Sequence, residues 1–199
     1  MRTPKIEALH RLINWFNLKN NDSVPLLNLD TSPLSNSSWL SGILDADGSF
    51  YLNWKLNKKA LPIGLVYYLR ISQKQTYSRK LDPSLSVSNI LFMEKIAEFL
   101  KTKIKIIERD KGFYVEKAFE IRTEKLESKI QLFNYLSKYP LFSYKYLAQI
   151  NLAKIHNLNL NKEHKTTEGR KKLEEYSSLI KYDINKKYTW EHLNRFYKD

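Results

Sequence analysis

Two acidic residues, Asp45 and Asp47, have the type and spacing to do chemistry. They close the segment WLSGILDADG, which is apolar up to that point. The segment predicts a helix over 37–47, with Ser35 or Ser37 as its cap. Carboxylates at the C-terminal end of a helix oppose its macrodipole. A positive charge is therefore expected close to them.

One face of this predicted helix carries almost no side chain. Ser38, Gly42 and Ala46 recur every four residues and therefore share a face. Small residues let a second helix approach very closely. If a like helix packs there, two acidic helix ends meet, and crowded carboxylates must take up protons or bind cations. Mg²⁺ prefers a few carboxylates together with phosphate oxygens and water. The pattern therefore indicates metal-assisted cleavage of a phosphodiester.

The downstream periodicities predict the elements that position this helix. Alternating side chains in SFYLNWKLN and in IGLVYYLRISQKQ, residues 63–75, predict two strands. After a loop, TYSRKLDPSLS, come a helix over 87–101 and a hairpin that turns at DKG. Later helices are predicted over 124–137, 144–157 and 167–181, with a short final helix in the tail. From residue 37 the order α-β-β-α-β-β-α predicts an α+β fold with one antiparallel four-stranded sheet and helices on one face.

Residues 1–36 are predicted to form an arm that precedes a single domain at 37–199. Residues 3–18 predict a helix capped by Thr3. Its predicted apolar face consists of Ile6, Leu9, Ile13 and Phe16. The stretch 20–38 is rich in Asn, Ser and Pro, which is typical of a linker.

The charge balance indicates a polyanionic partner. The chain has 34 Lys and Arg against 21 Asp and Glu, a formal net charge of +13. The sheet face without helices is predicted to be polar and basic, which suits the DNA major groove. The alternative is an ordinary solvated face of an antiparallel sheet. The candidate nucleic-acid-binding residues on this face are Asn53, Lys55, Tyr68, Arg70, Ser72, Lys74, Lys103, Lys105 and Arg109.

Composition excludes several other classes of protein. There is no cysteine, which rules out disulfides, thiol catalysis and cysteine-ligated zinc. The four histidines are scattered, and no apolar run approaches the roughly 18 residues that span a bilayer. No membrane partner is therefore expected. The abundance of Lys, Asn, Ile, Leu, Tyr and Phe fits an AT-rich organelle gene, so a mitochondrial location is expected.

Residues 40–48, LSGILDADG, resemble the signature of the LAGLIDADG homing endonucleases and their maturase relatives. Six of these nine positions are identical to the signature. The flanking GSFY, the strand end ISQKQ and the segment YPLFSYKYLAQINLAKIH are also similar to the family. The resemblance extends over nearly the whole chain.

The resemblance implies an αββαββα core whose saddle-shaped sheet lies over the DNA major groove. It implies that Asp47 is the catalytic carboxylate that binds a divalent metal such as Mg²⁺, and that Asp45 organises the helix junction. It also implies that Gln73 orders an active-site water and that Lys145 lies near the scissile phosphate. Without the resemblance, Gln73 reads as a polar strand end and Lys145 as a solvated lysine.

Only one signature occurs, whereas members of the family work as assemblies with two. The segments RTPKIEALHRLINWFN and LDTSPLSNSSWLSG resemble the stretch that joins the halves of two-motif, intron-encoded members. The chain is therefore expected to be a C-terminal half that needs a second LAGLIDADG half, either as a homodimer or as a separate N-terminal half.

Three functions remain open at this stage. The leading prediction is a site-specific double-stranded DNA endonuclease, which the intact Asp47, Gln73 and Lys145 favour. The second is an RNA maturase that binds group I intron RNA without using its carboxylates. The third is a non-catalytic RNA-binding subunit of a ribonucleoprotein. The presence of a single half favours the two RNA-binding functions.

Overall fold

The computed structural model describes residues 1–56, 58, 62–79, 82–180 and 191–195. The elements in these ranges are α1 (Ile6–Asn20), α2 (Trp39–Asp47), β1 (Gly48–Leu56), β2 (Pro62–Lys74), β3 (Thr76–Arg79), β4 (Asp82–Ser88), α3 (Ile90–Phe99), β5 (Ile104–Asp110), β6 (Val115–Arg122), α4 (Leu126–Lys138), α5 (Lys145–Leu160) and α6 (Thr167–Ser178). Short 3-10 helices lie at Leu34–Asn36, Glu163–Lys165 and Glu191–Arg195. The last of these lies in the predicted final helix, while 181–190 and 196–199 fall outside the described residues.

Four strands form one antiparallel sheet in the order β1-β2-β6-β5. The register pairs Phe50 with Leu69 and Ile71 with Ile121, so these side chains share one face and enter the core. Helices α2, α3 and α4 cover that face. The predicted α+β fold, with its four-stranded sheet and helices on one face, is confirmed.

Helix α2 lies in the centre of this core. Leu40 and Leu44, one turn apart, are completely buried. The helix begins at Trp39, and Ser38 occupies its N-cap position without a side-chain hydrogen bond, so the predicted cap at Ser35 or Ser37 is wrong. A distant hydroxyl does the capping instead, because the Tyr135 hydroxyl accepts from the Ser41 N–H at 3.2 Å.

The predicted loop TYSRKLDPSLS is another correction. Strands β3 and β4 form a separate two-stranded antiparallel sheet there, with Thr76 opposite Ser88 and Tyr77 opposite Val87. The Ser, Asp and Pro of this stretch favour loops over strands, so the sequence shows no sign of the pairing. The hairpin extends directly from β2, on which Gln73 and Lys74 lie.

The arm is less buried than the sequence indicates. Helix α1 begins at Ile6, with Lys5 instead of the predicted Thr3 at its N-cap position. None of its residues is buried. The chain then returns alongside α1, where Asn17 exchanges two hydrogen bonds with the backbone of Val24. His10 Nε2 lies 2.8 Å from the Leu27 carbonyl oxygen. The predicted boundary between residues 36 and 37 stays a prediction. Within the described ranges, no helix combines the length and apolar character needed to cross a membrane.

Candidate active site and nucleic-acid interface

The predicted catalytic carboxylate lies at the last position of α2. Gln73 Nε2, near the end of β2, donates a hydrogen bond of 2.6 Å to Asp47 Oδ2. The two residues are 26 positions apart in the chain. They meet because β1 begins directly after α2 and β2 returns beside it. Asp47 remains exposed, so its carboxylate is accessible to a ligand.

Gly48 makes this junction possible. Its N–H donates to the Leu44 carbonyl oxygen while its own backbone is already extended. A β-carbon at Gly48 would lie 2.6 Å from that oxygen. Only glycine therefore lets the strand begin so close to the last turn of the helix. This fixes where Asp47 stands relative to the sheet.

The positive charge expected at the end of α2 is a lysine of this same chain. Lys145 Nζ donates to the backbone carbonyl oxygens of Asp45 at 2.5 Å and of Leu44 and Ala46 at 3.3 Å each. A lysine at a helix C-terminus compensates the macrodipole. Burial lowers the pKa of Lys145, and the negative charges of Asp45 and Asp47 partly oppose that change. The sequence pattern pointed to a metal for this compensation, whereas the structure places an ammonium group there.

Asp45 performs the converse role for α5. Its carboxylate accepts from the Phe142 N–H at 2.8 Å, the Ser143 N–H at 3.2 Å and the Ser143 hydroxyl at 2.6 Å. These donors directly precede α5, whose first residue is Lys145. Each helix thus supplies the charge that the other helix end requires. The reciprocal contacts hold Lys145 at the helix end that carries Asp47, and Gln73 reaches Asp47 from β2.

The small-residue stripe predicted on α2 faces outward. Ser38, Gly42 and Ala46 are all exposed, on the side of the helix away from Leu40 and Leu44. A β-carbon built at Gly42 would meet no atom within 4 Å. Among the described residues, therefore, nothing fills the space above Gly42.

The open face is the sheet surface opposite the helices. Register places Asn53 and Lys55 on β1 and Arg70, Ser72 and Lys74 on β2 along this face. Lys105 and Arg109 of β5 share it. Lys103 is exposed but lies just before β5 begins.

Tyr68 lies on the same face yet is only 7% exposed. Tyr51 stacks on its ring, with centroids 4.7 Å apart, and the Arg122 guanidinium lies 5.3 Å from its centroid. Burial raises the pKa of Tyr68, and Arg122 opposes this change. The more exposed ring of the pair is therefore that of Tyr51, which is 39% exposed. Tyr68 lies beside it on the neighbouring strand.

On the β5 side of the open face, glutamates of β6 form ion pairs with basic side chains. Arg109 donates to the Ser72 hydroxyl at 2.6 Å and contacts Glu116 at 3.4 Å. Glu116 also lies 3.7 Å from Lys74. Arg122 contacts the buried Glu120 at 2.5 Å. These β6 residues are not among the residues predicted for this face, although the alternation in VEKAFEIR puts them on one side of the strand.

Comparisons with known proteins give the family of the chain. The family model described as LAGLIDADG endonuclease matches residues 40–156, more than half of the chain. Accordingly, the chain belongs to the LAGLIDADG endonuclease family. It is 28% identical over 221 residues to "Intron-encoded DNA endonuclease aI3" of Saccharomyces cerevisiae, covering 99% of this chain and 52% of that protein. It is 32% identical to "Probable intron-encoded endonuclease 4" of Neurospora crassa, over 87% of this chain and 28% of the relative.

Solved structures agree on the fold. The crystal structure of the homing endonuclease I-TnaI matches with a TM-score of 0.56 at 20% identity, covering 84% of this chain and 96% of that chain. I-AabMI, crystallised with uncleaved DNA, matches with a TM-score of 0.54 at 21% identity, covering 75% of this chain and 46% of that one. The chain thus spans about half the length of several of its matches.

Proposed function

We propose that this chain is one half of a site-specific double-stranded DNA endonuclease. The observation that carries the proposal is the exposed Asp47 carboxylate, which accepts from Gln73 at 2.6 Å beside the Lys145 ammonium. These three residues lie at the edge of a sheet whose open face carries several lysine and arginine side chains. A carboxylate, a polar orienting group and a cation next to a phosphate-binding surface suit phosphodiester hydrolysis.

We assign Mg²⁺ to Asp47. Among the described residues, no group of three or more His, Cys, Asp or Glu could hold a metal ion alone. One exposed carboxylate fits a Mg²⁺ site that is completed by phosphate oxygens, water and a carboxylate from elsewhere. The bound ion would lower the pKa of a water molecule and stabilise the leaving oxygen.

The chain's own residues prepare that site. Gln73 fixes the orientation of the Asp47 carboxylate through a single hydrogen bond. Lys145 fixes the last turn of α2 through its carbonyl contacts and carries positive charge toward the position of the scissile phosphate. Since Lys145 also has a lowered pKa from burial, it releases a proton more readily than a solvated lysine.

The proposal includes a second LAGLIDADG domain packed on Ser38, Gly42 and Ala46. Its support is the exposed small-residue stripe together with the 52% coverage of the Saccharomyces cerevisiae relative. A second domain would bring another helix end, and with it another carboxylate, next to Asp47. The proposal also includes a mitochondrial location, which the amino-acid composition supports because it fits an AT-rich organelle gene.

The test is metal-dependent cleavage of a randomised duplex library with and without a second LAGLIDADG half. Asp47→Asn is expected to lower the cleavage rate constant by roughly a thousandfold while duplex binding persists. Asp22→Asn is the matched control, because it makes the same chemical change at an exposed residue of the arm. Equal cleavage by wild type and Asp47→Asn would refute the catalytic assignment.

One observation favours RNA binding as a second function. The exposed Tyr51 ring, which stacks on Tyr68 of the neighbouring strand, offers a surface on which an unpaired base can stack. A maturase or a ribonucleoprotein subunit would use such a surface without Asp47. Tight binding of group I intron RNA, lost in Tyr51→Ala and retained in Asp47→Asn, would favour this function over cleavage.

A further inference from the structure

A second feature of the site comes from the arm. A cavity of about 360 Å³ lies between the first residues of the chain and α2. Asp47 and Gln73 line it, and so do Arg2 and Lys5. The arm therefore forms one wall of a space that the predicted catalytic carboxylate also lines.

Arg2 holds this wall in place. Its side chain is 5% exposed and lies 3.0 Å from the Asp30 carboxylate. It also donates to the Ser32 carbonyl oxygen at 2.5 Å and to the Ser32 hydroxyl at 2.6 Å. The guanidinium lies 5.5 Å from the ring centroid of Trp39, the first residue of α2. Such planar, multiple contacts are what arginine provides and lysine does not.

One further contact indicates a built structure rather than a loose chain end. The Asp30 N–H donates to the Met1 carbonyl oxygen at 2.7 Å, so the return segment also holds the first residue. Arg2 Nε is buried without a hydrogen-bond partner within the described part of the chain, so Arg2 acts through its two terminal nitrogens.

Two lysines line the same cavity as the Asp47 carboxylate. Lys5 lines it from the arm, and Lys74 lines it from the end of β2. Both lysines are exposed. Lysine binds phosphate as a flexible point charge, and a nucleic-acid strand carries one phosphate at each nucleotide. A strand that presents a phosphate to Asp47 would bring the neighbouring phosphates close to these lysines.

We infer that residues 1–5 are part of the nucleic-acid site and that Lys5 binds a backbone phosphate next to the one at Asp47. In this arrangement Arg2 is a positioning residue that fixes Lys5 against α2. The ligand class is the phosphodiester backbone of a nucleic acid. The inference rests on the proposed function and adds to it a phosphate contact made by the arm.

The experiment measures duplex binding over a range of salt concentrations, together with single-turnover cleavage, on the full chain with a second half. Each lost phosphate contact lowers the magnitude of the slope of log K against log salt, here called the salt slope, by about 0.9 on B-DNA. Lys5→Gln is expected to lower the salt slope by about 0.9 and to slow cleavage on the order of tenfold. Lys19→Gln, the same change in the last turn of α1, is expected to keep both values.

Arg2 variants separate positioning from charge. Arg2→Gln is expected to lower the salt slope by about 0.9 as well, because Lys5 is no longer held at the cavity. Arg2→Lys keeps the charge but loses the fork of donors, so it is expected to restore the slope only in part. A thermal melt of each variant shows that the domain is folded. A general loss of fold would lower the melting temperature of a variant as well as its salt slope.

The outcomes separate this inference from the proposed function. A wild type that binds and cuts, with a Lys5→Gln variant of unchanged slope and rate, overturns the phosphate contact and leaves the endonuclease intact. A wild type that neither binds nor cuts duplex DNA overturns both. A slope that falls in Lys5→Gln and in Arg2→Gln but not in Lys19→Gln supports the inference.

Discussion

The two sides of α2 are built in opposite ways. On the inner side, Leu40 and Leu44 are fully buried, and the buried Ser41 has partners for both its N–H and its hydroxyl. On the outer side, Gly42 and its small neighbours are exposed, and nothing meets a side chain built at Gly42. The inner side is thus completed by this chain, whereas the outer side has room for another helix.

Two glycines in the same segment show the same contrast. Gly48 is required by this chain, because a β-carbon there would lie 2.6 Å from the Leu44 carbonyl oxygen. Gly42 is not required by it, because its surroundings are empty among the described residues. In an exposed helix, glycine costs about 0.5–1 kcal/mol relative to alanine. A glycine that weakens its own helix without a reason among the described residues is consistent with the proposed contact with a second LAGLIDADG half.

The largest effect is expected on the inner side. Leu44→Ala removes a completely buried side chain from the centre of the core. It is expected to lower the free energy of unfolding by about 2–5 kcal/mol, as the cavity it leaves is only partly refilled. Urea denaturation measures this change. Leu18→Ala, at a residue that is 86% exposed, serves as the control, and a comparable loss there would mean that burial does not explain the result.

The outer side should respond in the opposite sense. Gly42→Leu is expected to leave the fold intact and to raise helix stability slightly. It should weaken association with a second LAGLIDADG half by roughly 10- to 100-fold, because about 1–3 kcal/mol of overpacking falls on the approaching helix. Sedimentation with a second half measures the association. Unchanged association would remove this stripe from the interface.

The two acids should differ as the two sides do. Asp45→Ala leaves the N–H groups of Phe142 and Ser143 without their carboxylate, which is expected to cost about 1–3 kcal/mol of unfolding free energy. Asp47→Asn changes an exposed side chain and should leave stability within about 0.5 kcal/mol. Urea denaturation of both variants decides this. Equal stability losses would mean that Asp47, too, is structural.

Local patterns carried most of the fold. Alternation in SFYLNWKLN and helical spacing around Leu40 and Leu44 predicted β1 and the buried side of α2, because burial repeats with the period of each element. The β3–β4 hairpin was missed, since TYSRKLDPSLS is rich in Ser and contains Asp and Pro, residues that favour loops over strands. The cap at Tyr135 was missed because it is 94 residues from Ser41.

The site was predictable only in part for the same reason. Asp45 and Asp47 stand out by their position after an apolar run, and the demand for a positive charge follows from helix electrostatics. Nothing local says that Lys145, about a hundred residues later, supplies that charge. Family resemblance pointed to Lys145, and only the structure shows its contact with the carbonyls.

The expected change in stability at Lys145 is also small. Lys145→Met loses the contacts with the end of α2 but also removes a partly buried charge, so the unfolding free energy should change by less than about 1 kcal/mol.

The pH dependence is the sharper test of this lysine. Burial sets its folded-state pKa below its ordinary value of 10.5, so between the two values the unfolded chain binds more protons than the folded one. The unfolding free energy should therefore rise with pH as it approaches 10.5, and this rise should be smaller in Lys145→Met. Urea denaturation at several pH values measures the difference between the two proteins. A variant with an identical pH profile would mean that Lys145 is as solvated in the folded chain as in the unfolded one.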